Sequence, residues 1–172
     1  MQQQTNESKR INIILSWLAV VLWMGLIFIL SAQVADQSAK LSSGITQFII
    51  NAINAVSPKI HIDINSLGFA VRKLAHFLCY LILGLLVLNA FKKCGVHGLK
   101  RIIFSAIVCI LYAASDEIHQ LYVPGRGGQI QDVLLDCSGA ASGFLLERIA
   151  HKIRLRKKQE KHDTLLVNPN SE

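Results

Sequence analysis

Two short segments gather side chains able to do chemistry. In Arg72-Lys73-Leu74-Ala75-His76-Phe77-Leu78-Cys79-Tyr80, a helix stacks Arg72, His76 and Tyr80 at i, i+4 and i+8, with Lys73 one turn before His76. In Asp116-Glu117-Ile118-His119-Gln120, the same spacing puts Asp116, His119 and Gln120 on one face with Glu117 beside it. Pro124 and the glycines of Val123-Pro124-Gly125-Arg126-Gly127-Gly128 predict a turn, after which Asp132 and Asp136 share a helix face four residues apart. His76, Asp116, Glu117, His119 and Asp132 are candidate catalytic groups, able to act as general acid or base or as ligands of a divalent metal. Glu117 is the acid/base candidate. Arg72, Lys73, Gln120 and Arg126 are candidate substrate-binding groups, the cations being suited to an anionic head group such as a phosphate. Which metal or cofactor such a site takes, if any, is left open by these residue types.

Three roles fit the same residues. A hydrolase or group transferase would work on an outer-leaflet lipid or a lipid-linked wall precursor. A binding protein would capture a lipid-linked precursor or a lipoglycopeptide without turnover. In the purely structural role the charges pair with one another, Arg72 or Lys73 with Asp132 or Asp136, and Asp116 with Arg126, because buried charges need partners. No G-x-S-x-G or zincin motif is present to select the first.

The elements that carry these residues are long apolar runs. Hydrophobic residues make up 52 % of the 172 and charged residues 17 %, and the mean hydropathy is +0.41. A soluble domain usually carries about a quarter charged residues. Ile11–Ala35 holds no formal charge and crosses a hydrocarbon core of ~30 Å at ~1.5 Å per residue. It exceeds the ~7–15 residues of a signal-peptide core and is expected to be a retained anchor. Leu74–Phe91 is a second run, flanked by Arg72-Lys73 and Lys92-Lys93. A third runs from Ile102 to about Val123 through Asp116, Glu117 and His119, and a fourth covers Val133–Leu146 with Asp136 inside it. The predicted fold is all-α, a polytopic integral membrane bundle of about four transmembrane helices. Ionisable residues at such depth are costly unless they face the bundle interior and are used.

Basic residues orient the bundle. With alternating spans and a cytoplasmic N-terminus, 13 of the 18 Lys and Arg residues fall on the cytoplasmic side, as the positive-inside bias requires. Residues 1–10 then form a cytoplasmic N-terminus, 11–150 the transmembrane domain and 151–172 a basic cytoplasmic tail, partly disordered from Asp163 onward. Juxtamembrane attraction to anionic lipid accounts for that tail. No aromatic platform accompanies it, so nucleic acid is not an expected partner. The polar clusters all map to the opposite, outward ends of the second, third and fourth spans.

The loop from Ser31 to Val71 contains Leu41, Ile45, Phe48, Ile49, Ala52, Ile53 and Val56 at helical spacing, opposite Ser42, Ser43, Thr46, Gln47, Asn51 and Asn54. This predicts an outer amphipathic helix, ended by Pro58. Gly139 and Gly143 form a small-xxx-small pattern that lets the fourth helix approach a neighbour closely. Cys79, Cys94, Cys109 and Cys137 form no C-x-x-C pair and predict no disulfide framework. Four short spans leave little room for alternating access without an oligomer.

The strings Arg72-Lys73-Leu74-Ala75-His76, Ser115-Asp116-Glu117-Ile118-His119-Gln120, Val123-Pro124-Gly125-Arg126 and Asp132-Val133 resemble the VanZ family in order and spacing. Phe28-Ile29-Leu30-Ser31-Ala32-Gln33 is similar too, and the resemblance covers roughly residues 11–150. It departs from the usual pattern at Cys79, where that family has an acidic residue, and at Asp136, where it has Asn. The resemblance implies a multi-pass bacterial membrane protein linked to reduced susceptibility to glycopeptide antibiotics, teicoplanin in particular. It implies no reaction mechanism.

Overall fold

The computed structural model describes residues 2–32, 43–44, 46–51, 64–124 and 127–167. Four long helices follow in chain order: α1 Gln2–Ser31, α2 Ile64–Lys93, α3 Gly98–Gln120 and α4 Ile130–Val167. The chain is an all-α membrane bundle. Glu7–Ser31 of α1, Ser66–Lys93 of α2 and Gly98–Gln120 of α3 are each long and apolar enough to cross a membrane. α4 is the most polar of the four, since Asp136 interrupts its apolar stretch and a basic segment follows Glu147. It packs mainly on α2 and continues through the basic segment as far as Val167.

Backbone chemistry sets the connections. Between α2 and α3, Gly95 adopts φ 81°. Its N–H bonds the Lys92 carbonyl at 3.1 Å while Val96 N–H bonds Phe91 at 3.0 Å. That pair of bonds is the Schellman cap, which needs a left-handed residue and so favours glycine. The cap turns the chain back, and α3 starts at Gly98. After α3, the amides of Leu121, Tyr122 and Val123 bond the carbonyls three residues earlier, which tightens the helix end ahead of Pro124.

The glycine pattern of α4 seats it against α2. A Cβ at Gly139 would collide with the Phe77 backbone, and one at Gly143 would meet the Leu81 carbonyl oxygen at 2.5 Å. On the facing helix, a Cβ at Gly84 would lie 2.8 Å from the Ala140 carbonyl oxygen. The seam is therefore glycine-lined on both helices, as close helix approach in a membrane demands. Tyr80, Leu83, Val87, Leu88 and Ala90 of α2 form the centre of the core, joined by Val20, Ile27, Cys109, Ala113, Ala140 and Phe144. Outside, Ile14, Leu22, Ile29, Ile107 and Leu111 are exposed, Leu22 by 66 %. Exposed apolar and buried polar side chains together invert the soluble-protein pattern, and a lipid solvent explains the inversion.

Residues 46–51 are helical, within the segment predicted to be amphipathic. Thr46 is buried and Phe48 is 75 % exposed. Leu41, Ser42, Ile45, Ala52, Ile53, Asn54, Val56 and Pro58 lie outside the described residues. All four cysteines are free.

Candidate functional site

The C-terminal ends of α1 and α3 meet the N-terminal half of α2 and the start of α4 at one end of the bundle. Helical spacing on α2 aims Arg72, Lys73 and His76 toward this junction. α3 contributes its last two turns, with Asp116, Glu117 and Gln120 buried. α4 contributes Asp132 and Asp136, one turn apart.

Lys73 Nζ makes an ion pair and hydrogen bond with Asp132 Oδ1, and stands 5.0 Å from the centre of the Phe69 ring. His76 Nδ1 lies 3.8 Å from Asp136 Oδ1. Gln120 Nε2 donates to Ser31 Oγ at 2.7 Å and to Asp116 Oδ2 at 3.3 Å. The polar network thus ties α1 to α3. Glu117 turns toward the following loop, where its Oε1 accepts the Gln129 N–H at 2.5 Å. His119 stacks on Phe28, with ring centroids 4.3 Å apart and planes 29° from parallel.

These contacts surround a partly open cavity of about 150 Å³. Arg72, Lys73, His76, Gln120, Gln129, Asp132 and Asp136 supply its polar lining. Glu117, Asp116 and His119 stand behind or beside it rather than on its wall. Arg126 lies outside the described residues. Of the ion pairs anticipated from composition, Lys73 takes Asp132, while the partner considered for Asp116 was Arg126.

Several polar atoms in this region are buried and make no hydrogen bond among the described residues: Asp116 Oδ1, Asp136 Oδ1, Glu117 Oε2, His119 Nε2, Arg72 Nε and the Tyr80 hydroxyl. Such orphans are expensive in a low-dielectric interior, which favours a water or ion beside them. Two positions join the site that charge and spacing alone do not single out. Ser31 is fully buried, and the only local signal for it is a hydroxyl at the polar exit of an apolar run. Gln129 acts through its backbone amide, which side-chain chemistry cannot reveal.

The arrangement can bind an anion through Arg72 and Lys73, accept protons at carboxylates, and hold a cation between carboxylates and imidazole. A family model described as VanZ/LLP1 matches residues 16–151, the span that holds every one of these groups. Neither the curated proteins nor the solved structures give a match to this chain.

Proposed function

Because the chain belongs to the VanZ/LLP1 family, we propose that it acts in the bacterial cell membrane as an envelope protein whose polar pocket faces outward. The pocket takes the anionic head of an outer-leaflet lipid or lipid-linked wall precursor, and its action raises tolerance of lipoglycopeptides such as teicoplanin. The observation that carries this reading is the convergence of Arg72, Lys73, His76, Gln120, Asp132 and Asp136 on one cavity. A head group is polar and its tail apolar, so a polar cavity at the end of a lipid-facing bundle accommodates both. The basic clusters Lys92-Lys93, Lys100-Arg101 and Arg148–Lys161 fall at the other end, which the positive-inside bias assigns to the cytoplasm together with both termini.

The test is the teicoplanin susceptibility of cells lacking the protein, given back either wild type or Arg72→Ala/Lys73→Ala at equal membrane levels. We expect wild type alone to restore tolerance. Equal restoration by the double variant would remove the anion-binding role.

A hydrolase or transferase reading draws on one further observation. His76 lines the cavity with Nδ1 3.8 Å from Asp136 Oδ1, and an imidazole beside a carboxylate is a general-base candidate. A product released from a lipid-linked precursor by purified protein, absent with His76→Gln, would favour turnover over capture.

A further inference from the structure

The deep end of the pocket gathers two buried carboxylates beside an imidazole. Asp116 and Asp136 are each only 2 % exposed, and the described residues place no Lys or Arg in an ion pair with either. Lys73 is committed to Asp132. Asp116 Oδ1 and Asp136 Oδ1 are both buried without a hydrogen bond, and the latter faces His76 Nδ1 at 3.8 Å. One ligand atom from each of His76, Asp116 and Asp136 lies within 4.8 Å of the other two. Two buried carboxylates so close together repel, and an apolar surround makes that repulsion costly.

We propose that His76, Asp116 and Asp136 bind a divalent zinc-class metal ion at the base of the cavity. Donor atoms at ~2.0–2.2 Å from an ion stand up to about 4.4 Å apart, so small side-chain rotations close the three around one. Its two positive charges balance the two carboxylates. One imidazole and two carboxylates form a borderline-to-hard donor set that suits Zn²⁺ or Mn²⁺. Three protein ligands leave a position open, as in sites where the ion also binds water or substrate. His76 and Asp136 line the cavity, so that position faces the space assigned to the anionic head. The ion rests on this geometry alone, whereas its contact with a head group rests on the function proposed above.

The whole chain, purified in detergent and stripped with EDTA, is dialysed against ZnSO₄ or MnCl₂ and its metal content measured. We expect one ion per wild-type chain and a thermal stability that rises when the ion is returned. Affinity should fall at least about tenfold in Asp136→Asn and Asp116→Asn. It should be unchanged in Glu147→Gln, which removes a carboxylate paired with Arg101 through α3–α4 contact away from the pocket. Wild-type chain that retains no stoichiometric ion overturns the site, and that result needs no variant to fold. So does an Asp136→Asn chain that binds as wild type does. A metal-free result leaves the envelope reading standing, while unchanged teicoplanin susceptibility with metal bound removes that reading and leaves the ion.

Discussion

Lys73 of α2 and Asp132 of α4 close an ion pair at the exposed side of the cavity, their side chains 25 % and 24 % exposed. Asp136, one turn further along α4, is almost entirely buried. The pair fastens the start of α4 to α2 just ahead of the glycine seam.

At this intermediate exposure the pair is worth about 1 kcal/mol, toward the upper end for partly exposed pairs. Lys73→Met and Asp132→Asn should each lower stability in detergent, and the double variant should lose less than the sum of the two. Strict additivity in that cycle would show that the two charges do not support each other.

The seam is a matter of shape. Gly143→Ile forces a side chain into the Leu81 carbonyl, and overpacking of this kind typically costs ~1–3 kcal/mol. Gly25 on α1 has open space around the position of a Cβ, so Gly25→Ala should be neutral or raise stability by up to about 1 kcal/mol. Thermal unfolding of the purified variants distinguishes the two sites, and similar effects would dissolve the close-packing argument.

Glu117 has a structural task and a candidate chemical one. Glu117→Ala removes the acceptor of the Gln129 N–H and should cost ~0.5–1.5 kcal/mol, the net worth of one hydrogen bond, since water reaches the exposed Gln129. Glu117→Gln keeps an acceptor oxygen and removes the charge, so it should fold. We expect the Gln variant to reach the membrane at wild-type levels and yet fail to restore teicoplanin tolerance. Full tolerance with Gln would confine Glu117 to holding the loop.

Topology has a chemical reporter already in the chain. Cys94, in the turn between α2 and α3, is exposed, whereas Cys109 is buried and Cys79 and Cys137 are half-buried. With that turn cytoplasmic, a membrane-impermeant maleimide should label Cys94 only after permeabilisation. Labelling in intact cells would invert the bundle and turn the cavity inward.

The helices were legible because crossing a membrane is a local property: length, apolar content and the placement of Lys and Arg suffice. Motif spacing likewise placed Arg72, Lys73, His76, Asp116, Gln120 and Asp132 at neighbouring helix ends, and the Gly139/Gly143 pattern announced a close approach. Partner choice was not legible. Arg72 and Lys73 were equal candidates for Asp132 and Asp136 as far as charge goes, and nothing local told Glu117 to face an amide twelve residues later. Ser31 looked like the end of a span, not the hydroxyl that receives Gln120.

The sequence alone therefore determined an all-α membrane bundle, its family, and the end at which the polar groups collect. Only the tertiary structure decided which of those groups meet. The reason is rotational. A helix can be long and apolar enough to span while turned to any angle about its axis, and burial in lipid barely discriminates among those angles. The glycine contacts of α4 with Phe77 and Leu81, and of Gly84 with Ala140, select one angle. With it come Lys73 against Asp132, His76 near Asp136, and two buried carboxylates within 4.8 Å of one imidazole nitrogen.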